Sequence, residues 1–524
     1  MPSPPTRNPV RRRFRHRIPV RLRHYWKLVA GTCVFVVVLA GVFGSGMIRP
    51  YTTSKAEDAP VQVTEDIAGT KDLFDTTTAH DVRIEFNDAN YQKMLQEYFD
   101  TGEKDYIPAT VVIDGTRIEN VGIRLKGNST LASLTWNGER RQSGGFGGGQ
   151  GGEPPAGMQL PEGAPQQGGP PQGGMAGGMG GIGTELKAEE PESLPWLISF
   201  DKYVEGRRYQ GHTQIAVRPG SGEGSAQLNE SLAMSLVDAS GEPAQQFAYS
   251  GFTVNDRTST PRLLVEYLDE GYAEDLGNGV LYKSLASSQF TYQGGDQTEY
   301  SDDFKQINNI GGTDVQPVIE LIRWVEQSSD EEFAAGLADR VDVESFARYL
   351  ALQNIVLNGD DMAGPGRNYY LWYDLGTRKF TVIGWDMNLT FTGDATAGPH
   401  DSISMGFGGG RGQPNAGGAG NEPPQGMQLP EGMQAGGGLM GGNKLKERFL
   451  ASDEFKQVYE EQYRQVYSLV FADGKAESAL SALVSSYNLN TNASKNVQSE
   501  AATLQGTLEK RATALAADSV ISGG

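Results

Sequence analysis

Between residues 81 and 125 the hydrophobic pattern changes period twice. "DVRIEF" alternates apolar and polar positions, as a half-buried strand does. "DANYQKMLQEYF" opens on an acid and returns apolar side chains at helical spacing. "ATVVIDGTRIENVGIRLKG" alternates on both sides of Asp114-Gly115, a dipeptide suited to a tight hairpin turn. The pattern predicts strand, helix and two strands. Further on, "WLISFDKYV" and "TQIAVRP" read as strands, and "AQLNESLAMSLVDAS" as a helix. "RLLVEYLDE" and "GVLYKSL" read as strands or short edge elements. From Val315 the period is helical, through "VQPVIELIRWVEQ", "DEEFAAGLAD" and "DVESFARYLALQNIVL". In the last of these, Val343, Phe346, Leu350 and Leu357 share one face. A hairpin over 369–383 interrupts the helices, and 443–517 reads as about three more. A strand-rich first part and a helix-rich second part predict a two-lobed α+β protein with a cleft between the lobes.

One apolar run stands apart. "LVAGTCVFVVVLAGVFGSGMI", residues 28–48, carries no charge and is close to the roughly 20 residues that span a bilayer as a helix. Residues 1–27 hold nine Arg or Lys and no acid, which marks the cytoplasmic flank. A secretory signal peptide is the competing reading, but the run is longer than a usual signal core and no small-residue cleavage site follows it. The expectation is a single-pass anchor in the cell membrane, N-terminus cytoplasmic, with a linker at 49–79 and the bulk of the chain extracytoplasmic. The whole chain carries 45 basic and 65 acidic residues, net −20. With so many of the basic residues before the anchor, the remainder is more acidic still and excludes nucleic-acid binding through its bulk field. Any anionic ligand there needs local cations or a metal. Cys33, the one cysteine, lies in the apolar run, and only His80, His212 and His400 lie beyond it. A disulfide within the chain, a His-rich zinc site and a Ser-His-Asp triad are therefore disfavoured. Enzymatic chemistry, if present, falls to carboxylates.

Two Gly/Pro-rich segments, about 142–183 and 405–442, interrupt the exported part and repeat each other: "GFGGGQGGEPPAGMQLPEG" against "GFGGGRG" and "EPPQGMQLPEG". They hold almost no branched or aromatic residues, so burial cannot offset their ordering entropy. They are expected to be disordered surface insertions in a domain spanning 80–517.

The chemistry concentrates in "NGDDMAGPGRNYYLWYD", residues 358–374, and "VIGWDMNLTF", residues 382–391. "NYYLWYD" and "KFTVIGWD" form a hairpin turning near Gly376. In an antiparallel pair the start of one strand faces the end of the other, so Asn368 and Asp386 converge at its open end, beside the loop of Asp360 and Asp361. One Asp to position a hydroxyl, with an Asn and a second Asp to hold Mg²⁺, is the set that phosphoryl transfer uses. Spacing alone leaves open a plain alternative, in which these residues cap a loop, make a turn and end a strand.

The stretch "DDMAGPGRNYYLWYDLGTRKFTVIGWDMNLTF" is similar to the core of the CotH spore-coat kinase family, and "VGIRLKGNST", "LLVEYLDE" and "VLYKSL" resemble further family motifs in the same order. The resemblance covers most of 80–515 outside the insertions. It implies an atypical protein-kinase-like fold that transfers phosphate from ATP to Ser of protein substrates, with Mg²⁺ or Mn²⁺. Carried over by position, Asp360 matches the catalytic Asp, with Asp361 an adjacent competitor. Asn368 matches the Asn of an "HN-Y-Y" signature, and Asp386 the metal Asp of "W-D-x-D". Arg367 replaces the usual His, and Asn388 replaces the second Asp, which removes one negative charge from the metal set. On the nucleotide side, Arg124 and Lys126 in "RLKGNST" end a strand where cations and backbone N–H groups can hold phosphates; an exposed hairpin end is the alternative. Glu266 in "LLVEYL" resembles a family Glu near the adenine. The Lys that the family often carries before the strand "PWLISF" is absent, and Lys202 follows that strand instead. The expected partner is a Ser- or Thr-bearing protein of the cell envelope, with a non-catalytic surface or envelope-assembly role as the rival and a metal hydrolase as a third reading.

Overall fold

The computed structural model describes residues 27, 62–127, 130–141, 185–220, 225–310, 313–403, 442–490 and 495–523. The expected anchor at 28–48 and nearly all of the two Gly/Pro-rich segments lie outside these. Among the described residues no helix is long and apolar enough to cross a membrane.

The first predicted block forms as read. Strand β1 (Asp81–Phe86) leads into helix α1 (Asp88–Thr101). The Asn87 side chain accepts the Ala89 N–H at the start of α1, and Gly102, at φ 89°, ends it. β2 (Ile107–Ile113) and β3 (Thr116–Leu125) follow, antiparallel. Asp114 and Gly115 between them take φ 47° and 86°, the paired positive values of a tight hairpin turn.

Among the described residues β1, β2 and β3 are three strands of a closed barrel. The others are β4 (Trp196–Ser199), β5 (Gln214–Val217), β6 (Phe247–Val254) and β7 (Thr260–Glu266). The order around the ring is β6-β7-β5-β4-β3-β2-β1. Neighbours are antiparallel except at the closing seam, where β1 runs parallel to β6 with Asp81 opposite Gly251 and Ile84 opposite Val254. The sequence reading had no closed ring and no strand at 247–254. All eight residues of β6 are buried, so it lacks the alternation that betrays a half-exposed strand. Val82, Ile84, Val111, Ile123, Ile198 and Phe252 fill one core. Leu197, Ala216, Tyr249 and Val265 face a second core with helix α2 (Leu228–Ala239).

After the barrel come α3 (Glu270–Leu276), β8 (Gly279–Ser284) and β9 (Phe304–Gln306). Three helices follow: α4 (Gln316–Gln327), α5 (Asp330–Gly336) and α6 (Val343–Ile355). Ser329 and Glu332 form a reciprocal capping box on α5. The hairpin of β10 (Tyr369–Asp374) and β11 (Phe380–Gly384) completes a second sheet, ordered β9-β8-β10-β11. Of the four residues assigned to one face of α6, Leu357 lies beyond the helix end at φ 54°. The tail divides more finely than expected, into α7 (Lys444–Ala451), α8 (Asp453–Phe471), α9 (Lys475–Leu489), α10 (Lys495–Ala516) and a final turn at Ser519–Ser522. Asp473 and Gly474, both at positive φ, separate α8 from α9.

Arg511 of α10 is fully buried. Its guanidinium donates to the Asn354 carbonyl at 3.0 Å and the Asn354 side chain at 2.7 Å, and reaches the carbonyls of Ile355 and Ala397. It caps the end of α6 and fixes where the chain enters the loop of Asp360.

Candidate active site

The hairpin register carries the site. Tyr369 lies opposite Gly384 and Tyr373 opposite Phe380, and the Trp385 N–H donates to the Asn368 carbonyl at 3.2 Å. Asn368 and Asp386 therefore flank the open end of the ribbon, as the pattern predicts. Asp386 is held at φ 56°, ψ 65°, a left-handed conformation that Asp tolerates better than most residues. Helix α2 braces this turn. Asn229 donates to the Asn388 carbonyl at 2.7 Å and accepts from the Thr390 hydroxyl at 3.1 Å. Asn388, expected as a metal ligand, thus holds α2 through its backbone.

The two adjacent aspartates part company. Asp360 is buried, and its carboxylate accepts from the Gly366 N–H at 2.6 Å and the Asn368 side chain at 2.9 Å. Asn368 Nδ2 also reaches the Asp360 carbonyl at 3.1 Å. The loop wraps so closely that a Cβ on Gly366 would meet Asn368 Nδ2 and Asp360 Oδ2, both at 2.6 Å. Asp361 pairs with Lys446 of α7 and accepts the Ala363 N–H at 2.8 Å. Its charge is met inside the protein, which leaves Asp360 as the acid free of a cation partner among the described residues. Arg367, at φ 51°, donates to the Ser288 carbonyl at 3.1 Å and to that of Gly364, so the residue in place of the usual His ties the loop down.

Three cations gather behind Asp386. Arg218, just past β5, lies 2.9 Å from Asp386 Oδ1 and pairs with Glu230 of α2. Lys126 follows β3, and Lys283 stands in β8; each ammonium sits 5.1 Å from the centre of the Trp385 ring, with the Arg218 guanidinium at 6.0 Å. Lys283 also lies 3.3 Å from the Tyr267 hydroxyl and over the Tyr370 ring. Burial pushes the Asp386 carboxyl up, but Arg218, Lys126 and Lys283 together hold it below its ordinary value. Burial pushes Asp360 up, opposed by the Gly366 N–H and reinforced by Asp386. Burial and Arg218 bring the Lys126 ammonium down to about 7. Two neighbouring carboxylates pushed in opposite directions is the pattern of a proton-handling acid beside a permanently ionised one.

Of the predicted nucleotide residues, Lys126 enters this cluster. Arg124 lies over the Tyr106 ring at 5.2 Å and donates to the Leu125 carbonyl. Glu266 is 1% exposed, accepts the Gln246 N–H at 2.9 Å and lies 3.4 Å from His212; the next residue, Tyr267, is the one that reaches Trp385. Sequence reading missed Arg218, Glu230 and Lys283 as site residues, although all three stand in quoted stretches: Arg218 in "TQIAVRP", Glu230 in "AQLNESLAMSLVDAS" and Lys283 in "VLYKSL". A cation at the mouth of an otherwise apolar strand was the available signal.

The donor set suits a hard divalent cation. The Asp386 side chain keeps 28% exposure, and its Oδ1 has no aligned hydrogen bond despite the Arg218 ion pair. The Asn368 amide nitrogen is taken by Asp360, so its oxygen is the remaining donor. Among the described residues no three His, Cys, Asp or Glu side chains gather as a metal cage. One or two carboxylates is what Mg²⁺ takes when phosphate oxygens and water complete its shell.

A family model for the CotH kinase protein matches residues 187–515. The chain belongs to the CotH kinase family. The match takes in Arg218, Glu230, Glu266, Lys283, the Asp360 loop and the Asp386 turn, and begins after β3, which carries Arg124, and after Lys126 that follows it. No curated protein matches the chain. The contacts of Arg367 hold the loop, and the Asn388 carbonyl holds helix α2.

Proposed function

We propose that this chain is a membrane-anchored, kinase-like phosphotransferase of two-lobed build, the barrel forming one lobe and the sheet–helix part the other. It moves a phosphoryl group from ATP to Ser or Thr of an envelope protein, with Mg²⁺ or Mn²⁺. The observation that carries this reading is the pairing of Asp360 and Asp386 across Asn368, with their carboxyls pushed in opposite directions and cations behind only one of them. Asp360 accepts the hydroxyl proton as the oxygen attacks the γ-phosphorus of ATP, whose bond to the bridging oxygen breaks and releases ADP. Asp386 and the Asn368 oxygen would hold the divalent ion, which would supply charge neutralisation on the phosphates. Arg218, buried against Glu230, occupies the role that a Lys–Glu ion pair fills in protein kinases. In a test, purified full-length protein receives labelled ATP, Mg²⁺ or Mn²⁺, and envelope protein. Transfer is expected from the wild type and not from Asp360→Ala or Asp386→Ala; label transfer that survives both changes would sink these roles.

A second reading is favoured by Arg218 already pairing with Asp386: a non-catalytic envelope protein that keeps the fold. Mg-ATP raises the thermal midpoint of a protein that binds it in the native state, and an unmoved midpoint supports this second reading.

A further inference from the structure

Asp360 and Asp386 stand on different segments, and one buried amide joins the two. The chain leaves α6 through Leu357, at φ 54°, and the next residue, Asn358, is 3% exposed. Its Oδ1 accepts the Asp360 N–H at 3.0 Å. Its Nδ2 donates to Gln353 Oε1 of α6 at 2.7 Å and lies 3.7 Å from the sulfur of Met387, the residue after Asp386. Gln353 is equally buried, and its carbonyl accepts the Asn358 N–H at 2.9 Å. The Gln353 Nε2 has no hydrogen-bond partner among the described residues. Burying an amide with a donor unmet is costly, so bulk alone does not account for a Gln here; its one bonded side-chain atom is the oxygen on Asn358. There is no slack around this group: a Cβ on Gly384 would meet Met387 Cε at 2.5 Å and Gln353 Nε2 at 3.2 Å. Asn368 holds the Asp360 carboxylate from the ribbon side, and Asn358 holds the Asp360 backbone from the α6 side. With Asn358 gone, the carboxylate is hinged on its remaining bonds to Asn368 and Gly366.

We propose that Asn358 is a positioning residue for phosphoryl transfer. It fixes the Asp360 backbone against α6 and Met387, so that the carboxylate meets the acceptor hydroxyl at a set distance from Asp386. Gln353 is the brace behind it. The inference rests on the kinase reading above but separates from it by experiment. A displacement of about 1 Å in a group that handles the proton costs up to about 10²-fold in rate, and the loss falls on the chemical step rather than on nucleotide binding.

The test is steady-state kinetics of full-length protein with Mg-ATP and envelope protein, kcat being referred to nucleotide-binding sites counted by titration calorimetry. Asn358→Ala should lower kcat about 10–100-fold while KM for ATP stays within about threefold. Gln353→Leu removes only the brace, together with its unmet donor, and should lower kcat about fivefold, the effect of one hydrogen bond. Gln353→Glu keeps the oxygen that accepts from Asn358 and should recover most of that loss. Circular dichroism checks folding, and Gln353→Leu carries the test where Asn358→Ala does not fold. Wild-type kcat in either folded variant overturns the positioning role and leaves the kinase reading standing. Fewer binding sites with kcat per site unchanged shows a structural part only and overturns it as well. A KM for ATP that rises as far as kcat falls places the effect on nucleotide binding and overturns the route through Asp360. A Gln353→Glu variant no faster than Gln353→Leu overturns the part given to Gln353. Absence of transfer by the wild type overturns both the positioning role and the kinase reading.

Discussion

Arg511 and Arg262 on one side, and Lys126 and Lys283 on the other, are cations drawn into the protein and treated in opposite ways. The guanidinium of Arg511 is shared among carbonyls at the end of α6, and that of Arg262 among the carbonyls of Arg218, Leu194 and Glu192. All three nitrogens of each guanidinium donate to protein oxygen. The two lysines of the Trp385 cluster face rings instead. The same contrast divides the adjacent aspartates, with Asp361 met by Lys446 and Asp360 held only by an N–H and an amide. A charge satisfied by its own chain builds structure; a charge left partly unmet is available to a ligand. Arg262 joins the two classes, because its donation at 2.7 Å to the Arg218 carbonyl fixes the strand end from which Arg218 reaches Asp386.

That division can be broken by mutation. The largest expected effect is on catalysis. Asp360→Asn should cut phosphoryl transfer by about 10²–10⁴-fold, the range for a lost proton acceptor, with little change in melting. Asp361→Asn, which leaves the half-buried Lys446 without its partner, should lower the melting temperature and spare more of the transfer rate. Equal rate losses in the two would erase the distinction between them. Next, Arg511→Ala orphans several carbonyls at once and should cost about 3 kcal/mol or more in denaturant unfolding; a cost under about 1 kcal/mol would show that water replaces the guanidinium. A smaller effect is expected for Gly366→Ala, whose methyl must push aside Asn368 and Asp360: transfer should fall more than stability, read by kinetics and melting on one preparation.

The last effect concerns a carboxyl outside the Trp385 cluster. Burial raises Glu266 to about 8, against an ordinary 4.5. The folded state therefore keeps a proton that the unfolded chain releases, and stability contributed by this group falls as pH rises from about 4.5 to about 8. Glu266→Gln removes that dependence, so the variant should gain melting temperature relative to wild type between pH 5 and pH 8. A gap that narrows instead would mean that Glu266 is ionised against His212, 3.4 Å away.

The parts of this protein legible in sequence are those whose pattern is local. The strand–helix–hairpin opening, the helices from Val315 and the 369–383 ribbon each show a period within a dozen residues, and the ribbon alone brought Asn368 and Asp386 to one end. The barrel was not legible, because its closure pairs β1 with β6 across more than half of the domain before the second sheet, and β6 is buried on both faces. Arg218 and Lys283 were hidden for the same reason: each reads as an ordinary strand-end or strand cation until sheet order sets it against Trp385. Glu266 shows the converse. A motif match pointed to it, but its own strand turns the carboxyl to His212 and Gln246, and Tyr267 makes the contact with the cluster.

The parallel seam of the barrel has a consequence for synthesis. β1 is made near residue 81, and its closing partner ends at Val254. At about 5–20 residues per second, the open edge of β1 waits roughly 10–35 s for β6 to be translated. During that interval the edge of β1 that does not pair with β2 is free to bind a neighbour. The ring closes late, so nascent copies on one message are most prone to pair with each other before residue 254 emerges, and a chaperone that covers extended edges has its window there.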